Sequence, residues 1–109
     1  MAYDPALADR IRVRLGSHPA LTEKEMFGGI AFLVGGNMAA GVTGSELMVR
    51  VGPEGHDDAI GLPGARTFDM TGRPMRGWLV VGPEGFATDD DFAAWVDRGL
   101  AFAESLPPK

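Results

Sequence analysis

Residues 22–51 read TEKEMFGGIAFLVGGNMAAGVTGSELMVRV, and the fold class turns on how that stretch is divided. From Met26 to Ser45 it carries no charged residue, which raises the question of a membrane-spanning helix. Six of those positions are glycine (28, 29, 35, 36, 41 and 44), and Asn37 sits in the middle. Clustered glycines interrupt the helical hydrogen bonding that a lipid-embedded segment must keep unbroken. Short strands joined by glycine turns satisfy the pattern instead. The stretch predicts four of them: Thr22–Phe27, Ile30–Val34, Met38–Val42 and Glu46–Val51. The turns between them are Gly28-Gly29, Gly35-Gly36-Asn37 and Thr43-Gly44-Ser45, where glycine supplies positive φ without steric cost. Loops this short make an antiparallel meander, because a parallel crossover needs more chain. Ile30-Ala31-Phe32-Leu33-Val34 is apolar on both faces. One face is therefore expected to lie under helices, with the other open to partial cover by a second subunit.

Working outward, Asp4-Pro5 starts a helix: an N-cap acceptor precedes a proline at the first helical position. Leu7, Ala8, Ile11 and Leu15 share one face, and Gly16 and Pro19 end the element. Arg10 and Arg14 fall on another face, read as solvated surface. Downstream, the pentapeptide Val-Gly-Pro-Glu-Gly occurs twice, at Val51–Gly55 and Val81–Gly85. Flanking residues do not match between the copies, so the repeat reads as one turn chemistry used twice. The first copy leads to a short helix over His56–Leu62. Strands then follow at Ala65–Met70 and Met75–Val81, with Thr71-Gly72-Arg73-Pro74 turning between them. The second copy leads to Thr88, an N-cap followed by Asp89, Asp90 and Asp91, which complement the positive end of a helix dipole. That helix runs to about Leu106, with Phe92, Trp95, Val96, Gly99, Phe102, Ala103 and Leu106 forming a wide apolar stripe.

The chain has 109 residues, 45% hydrophobic and 23% charged, which suits a single domain over residues 1–109. It has no cysteine, so disulfides, thiolate metal sites and thiol catalysis are excluded. The start, Met1-Ala2-Tyr3-Asp4-Pro5, has neither the basic nor the apolar region of a signal peptide, and a cytoplasmic location is expected. Formal charge is −5, from ten basic and fifteen acidic residues. An acidic chain argues against sequence-independent binding to phosphate backbones, which Lys and Arg drive by displacing counterions. The distribution is uneven, however. Between Leu62 and Gly82, Arg66, Arg73 and Arg76 stand against Asp69 alone.

Catalytic chemistry finds little footing. Ser17 beside His18 is only a sequence neighbour pair, and neither Ser45 nor Ser105 lies in a nucleophile elbow. His18, before Pro19, reads as a surface residue. His56, Asp57 and Asp58 are consecutive, so their side chains diverge and do not make a metal cluster. The pentapeptide turns lack a phosphate-binding pattern: Pro53 and Pro83 remove donors, and Glu54 and Glu84 repel anions. No catalytic residue, metal or cofactor is called for. The most distinctive local chemistry is Arg66, Arg73, Arg76 and Trp78, a candidate interaction patch for phosphate or an acidic partner. The plainer expectation is that Arg66 and Arg73 pair internally, with Asp69 or with acids on the last helix. Methionines 26, 38, 48, 70 and 75 read as core or interface filler.

Lys24-Glu25-Met26-Phe27-Gly28-Gly29-Ile30-Ala31-Phe32, followed by Gly36-Asn37-Met38-Ala39, resembles the N-terminal domain of TfoX/Sxy-type proteins. The downstream Leu47-Met48-Val49-Arg50-Val51, Pro63-Gly64-Ala65-Arg66 and Arg76-Gly77-Trp78 extend the resemblance over essentially the whole chain. It implies a two-layer α+β fold: a mainly antiparallel sheet of five to six strands, N- and C-terminal helices on one face, and a short helix between strands. The family's best-known members regulate competence for DNA uptake and carry a second, helical domain. With the chain ending at Lys109, a stand-alone N-terminal module is expected. The expected function is a small, non-enzymatic, regulatory protein-interaction domain, the expected partners being a second copy of itself and another protein. Two alternatives are nucleic-acid contact through Arg66, Arg73 and Arg76, and a small-ligand site near Asp69, Arg66 and Trp78.

Overall fold

Proline at position 5 and the Asp4 carboxylate, which accepts from the Ala6 N–H at 2.9 Å, begin the first helix in a computed structural model of the chain. Residues 3–26, 28–69 and 74–108 are described. Helix α1 spans Pro5–Leu15 and buries Leu7, Ala8, Ile11 and Leu15, the face its periodicity predicts. The charge-free stretch then forms β1 (Leu21–Met26), β2 (Gly29–Val34), β3 (Asn37–Thr43) and β4 (Glu46–Arg50) as an antiparallel meander. Helix α2 (Gly52–Ala59) leads to β5 (Ala65–Asp69) and β6 (Pro74–Val81). Strand β6 inserts beside β4 and leaves β5 at the edge, giving one sheet of order β1-β2-β3-β4-β6-β5 with every pair antiparallel. A 3-10 turn (Pro83–Phe86) and the long helix α3 (Asp89–Ser105) close the chain. This is the α+β arrangement expected.

Two boundaries differ instructively from the sequence reading. Helix α2 begins inside the first pentapeptide, at Gly52, and ends at Ala59, rather than running over His56–Leu62. Pro53 occupies its first turn, where a missing N–H costs nothing, so the pentapeptide is helix start as well as turn. Gly52 has φ +81°, and a Cβ there would strike the Phe102 ring of α3 at 2.3 Å. The second copy makes the 3-10 turn, whose Gly85 carbonyl accepts from the Trp95 indole N–H at 3.1 Å.

The sheet has two unlike faces. Ile30, Phe32, Ala40, Val42, Leu47, Val49, Leu79 and Val81 form the main core with Leu7, Ile11, Phe92, Trp95 and Val96 of the helices. Ala59 of α2 joins the same cluster, so all three helices cover this side. Alternation sends Ala31, Met48 and Val80 to the other side, and a register shift in β3 adds Met38; there they cluster with Leu33, Phe68 and Trp78. Across the sheet, α3 approaches closest at Gly99: a Cβ there would lie 2.0 Å from the Ala39 carbonyl oxygen. Ala39 sits at a register shift in β3, where Phe32 pairs with Ala40 but Leu33 with Met38.

Arg10 and Arg14 are not idle surface. Arg10 pairs with Asp89 at 3.2 Å and lies 4.1 Å over the Phe92 ring, while Arg14 grips Asp97 at 2.7 and 3.1 Å. Both tie α1 to α3. His18 reaches Glu104 of α3 at 3.1 Å. These contacts are largely exposed, so solvent screening leaves each with only a small contribution.

Candidate interaction surface

Strand alternation and antiparallel register build the face opposite the helices row by row. One row crosses all six strands: Lys24 pairs with Ala31, Ala31 with Gly41, Gly41 with Met48, Met48 with Val80, and Val80 with Arg66. Its ends are cationic and its middle apolar. Gly41 makes a hollow that methionine fills, since a Cβ there would lie 3.0 Å from the Met48 Cε and 3.2 Å from the Met38 Cε. The two flexible thioethers thus fold over the glycine, which explains how this face stays nearly dry without a helix above it. Ala31, Met38, Met48 and Val80 are all buried, and Leu33, Phe68 and Trp78 are half-buried around them.

The predicted patch residues fall as follows. Arg66, exposed on β5, donates to both oxygens of the Glu46 carboxylate on β4 at 2.6 Å each. Internal pairing is thus what the structure has, but the partner is Glu46 rather than Asp69 or the last helix. These hydrogen bonds hold the Glu46 carboxyl below its usual range. Arg76 donates to Asp57 of α2 at 2.7 Å and likewise holds that carboxyl low. Arg73 lies outside the described residues, as do the first two residues of the predicted Thr71-Gly72-Arg73-Pro74 turn. Trp78 is half-buried beside Arg50, whose guanidinium carbon sits 4.9 Å from the Trp78 ring and 5.1 Å from that of Phe102. Arg66 and Arg76 thus engage carboxylates of different elements, Glu46 of β4 and Asp57 of α2.

The ligand site expected near Asp69, Arg66 and Trp78 is not assembled either. Arg66 and Asp69, three residues apart on a regular strand, alternate to opposite faces. A groove of about 620 Å³ lies elsewhere, between α2 and α3, lined by Val51, Gly52, Pro53, Arg98, Phe102 and Ser105 among others.

His56 is the buried polar side chain of α2, and its role is local. The Gly77 N–H donates to Nδ1 at 3.1 Å, which assigns the proton to Nε2, 3.3 Å from the Thr67 Oγ1. Gly77 has φ +91°, and a Cβ there would lie 2.8 Å from the Gly52 carbonyl carbon. His56 therefore fastens α2 to a looped-out part of β6. Among the described residues, no group of three His, Cys, Asp or Glu side chains could hold a metal ion. Nor, among the described residues, is any helix long and apolar enough to cross a membrane.

Sequence reasoning passed over Lys24, Gly41 and Arg50, and named Met38 and Met48 only as filler. A period-2 reading of β4 places Met48 on the face away from Leu47 and Val49, whereas in β3 it puts Met38 on the side of Val42, and the register shift at Ala39 is what moves it across. What it cannot supply is the register that sets them over Gly41.

No curated protein matches the chain. The model of the TfoX N-terminal domain matches residues 14–103, from the end of α1 through most of α3. With that match spanning the sheet and both of its faces, the chain belongs to the TfoX N-terminal domain family.

Proposed function

We propose that this chain is a non-enzymatic, regulatory protein-interaction domain that acts in the cytoplasm as a homodimer, with a role in transcriptional or competence regulation. The observation that carries this reading is the half-buried apolar rim of Leu33, Phe68 and Trp78 on the sheet face away from the helices, set around the buried Ala31, Met38, Met48 and Val80. A sheet needs only one apolar face to fold against helices, and apolar side chains on the other suit a binding partner. Methionine and tryptophan are enriched in such surfaces. The two histidines serve contacts within the fold, His18 with Glu104 and His56 with Gly77 and Thr67. Family membership adds support for the regulatory part.

Light scattering of the purified chain at high micromolar concentration tests the reading. A mass twice that of the chain is the expected result, and a strict monomer removes the homodimer. Affinity capture from the native cell extract addresses the other partner: a stoichiometric regulatory protein is expected, and the absence of any enriched protein counts against an interaction domain.

A further inference from the structure

We propose that a trough along α3 docks a basic amphipathic helix of another protein, with the glutamates of the two Val-Gly-Pro-Glu-Gly copies at its margin. The proposal rests on the protein-interaction reading above and gives that partner a surface separate from the sheet face. Two grooves run along one flank of α3. The larger, about 620 Å³, has all five residues of the first pentapeptide in its wall. The smaller, about 260 Å³, has Glu84 and Gly85 of the second copy, with Leu62 and Pro63. They meet at Arg98, which lines both. On the helix, Asp91, Ala94, Arg98, Ala101, Phe102 and Ser105 recur at helical spacing and form one stripe, roughly 21 Å long. Leu62 and Phe102 are half-buried, while Pro53, Pro63, Ala94 and Ala101 are exposed, so the floor is apolar and within reach of a partner. Alanine at 94 and 101 lets a second helix lie close to α3. A trough of this length suits a helix that lays down anchors at i, i+3, i+4 and i+7.

Charge selects the occupant. On the other flank of α3, Asp89, Asp97 and Glu104 are engaged by Arg10, Arg14 and His18. On the trough flank, Glu54, Glu84 and Asp91 are exposed and, among the described residues, form no salt bridge. Glu84 acts on Arg66 only through space. Three carboxylates thus stand against one cation, Arg98, whose guanidinium carbon lies 5.7 Å from the centre of the Trp95 ring. The trough is net negative in a chain of net charge −5, and lysines or arginines beside a partner's apolar stripe complement it. Arg98, at the middle, accommodates one carboxylate of the same partner helix. The repeated pentapeptide acquires a use in this arrangement. Each copy opens a helical turn at its proline and sets its glutamate on the wall of one groove.

The test selects a display library of helical peptides, each about 15 residues long, on the intact immobilised chain, and titrates isotope-labelled chain with the tightest binder. Peptides with one apolar stripe flanked by lysine or arginine are expected, shifting the amide signals of Ala94, Arg98, Ala101 and Phe102. Reversing both margin charges, Glu54→Lys with Glu84→Lys, weakens that peptide roughly tenfold or more. The charge-matched pair Glu25→Lys with Asp69→Lys, at exposed positions of β1 and β5, leaves its affinity unchanged. Equal effects of the two double variants overturn the inference. So do enriched peptides that are acidic or lack a stripe, and a library from which nothing is enriched. Shifts centred on Leu33, Phe68 and Trp78 overturn it as well and leave the interaction reading standing. A peptide that halves the mass of the homodimer in light scattering assigns the trough to a second copy and overturns the choice of partner. Affinity capture from the cell extract decides the interaction reading in every one of these cases.

Discussion

Glu46 shows how one side chain joins fold and surface. Its carboxylate takes two hydrogen bonds from Arg66 at the rim of the open face, and the pairing lowers its pKa from a usual value of 4.5. A lowered folded pKa means that the stabilisation is fully present above pH 4.5 and is lost as pH falls through the folded value. The pair is partly exposed, so it contributes no more than about 1 kcal/mol after solvent screening. Glu46→Gln is expected to lower urea stability at neutral pH by no more than about 1 kcal/mol and to flatten its decline below pH 4.5. Urea midpoints of both proteins from neutral to acid pH check this, and parallel profiles would count against the pair. In sequence the acid nearest Arg66 is Asp69, one of the partners expected for it. The partner in the fold stands twenty residues away, on a strand separated from β5 by β6, and no local pattern reveals that.

Among the elements, α3 was the most legible. Its N-cap Thr88 accepts from the Asp91 N–H at 3.1 Å, and Phe92, Trp95, Val96, Gly99 and Ala103 are buried as its stripe predicts. The reason Gly99 belongs to that stripe appears only on packing, where the helix backbone meets the bulge at Ala39. Gly99→Ala must push α3 off the sheet, since the obstructing atom is a backbone oxygen 2.0 Å away. Although alanine favours helix, overpacking of this kind costs about 1–3 kcal/mol. A fall in melting temperature of roughly 4–8 °C per kcal/mol is expected by calorimetry. A rise instead would show that the helix slides without cost. Helix α2 was read less well, because Gly52, Pro53 and Gly55 disguise its first turn as a loop. Contacts to Phe102 and Gly77 hold that turn helical against its propensity.

At the scale of the whole molecule, net charge and pairing bear together on nucleic acid. Arg66 and Arg76 already hold carboxylates, so a phosphate would have to displace Glu46 or Asp57. In a chain of charge −5, no retention of duplex DNA is expected even at low salt, with fluorescence anisotropy as the measurement. Salt-dependent binding that weakens on Arg66→Ala and Arg76→Ala would instead favour the nucleic-acid reading. The amino-acid sequence by itself determined the strands, their glycine turns, the caps of α1 and α3 and the buried stripes, because each depends on torsional preference and periodicity within a few residues. The strand order was another matter. That β6 slips between β4 and β5, that Glu46 meets Arg66, and that two methionine methyls close over Gly41 were decided by tertiary structure alone. Those contacts join residues far apart in the chain, and their geometry follows from register and close packing, which no local preference encodes.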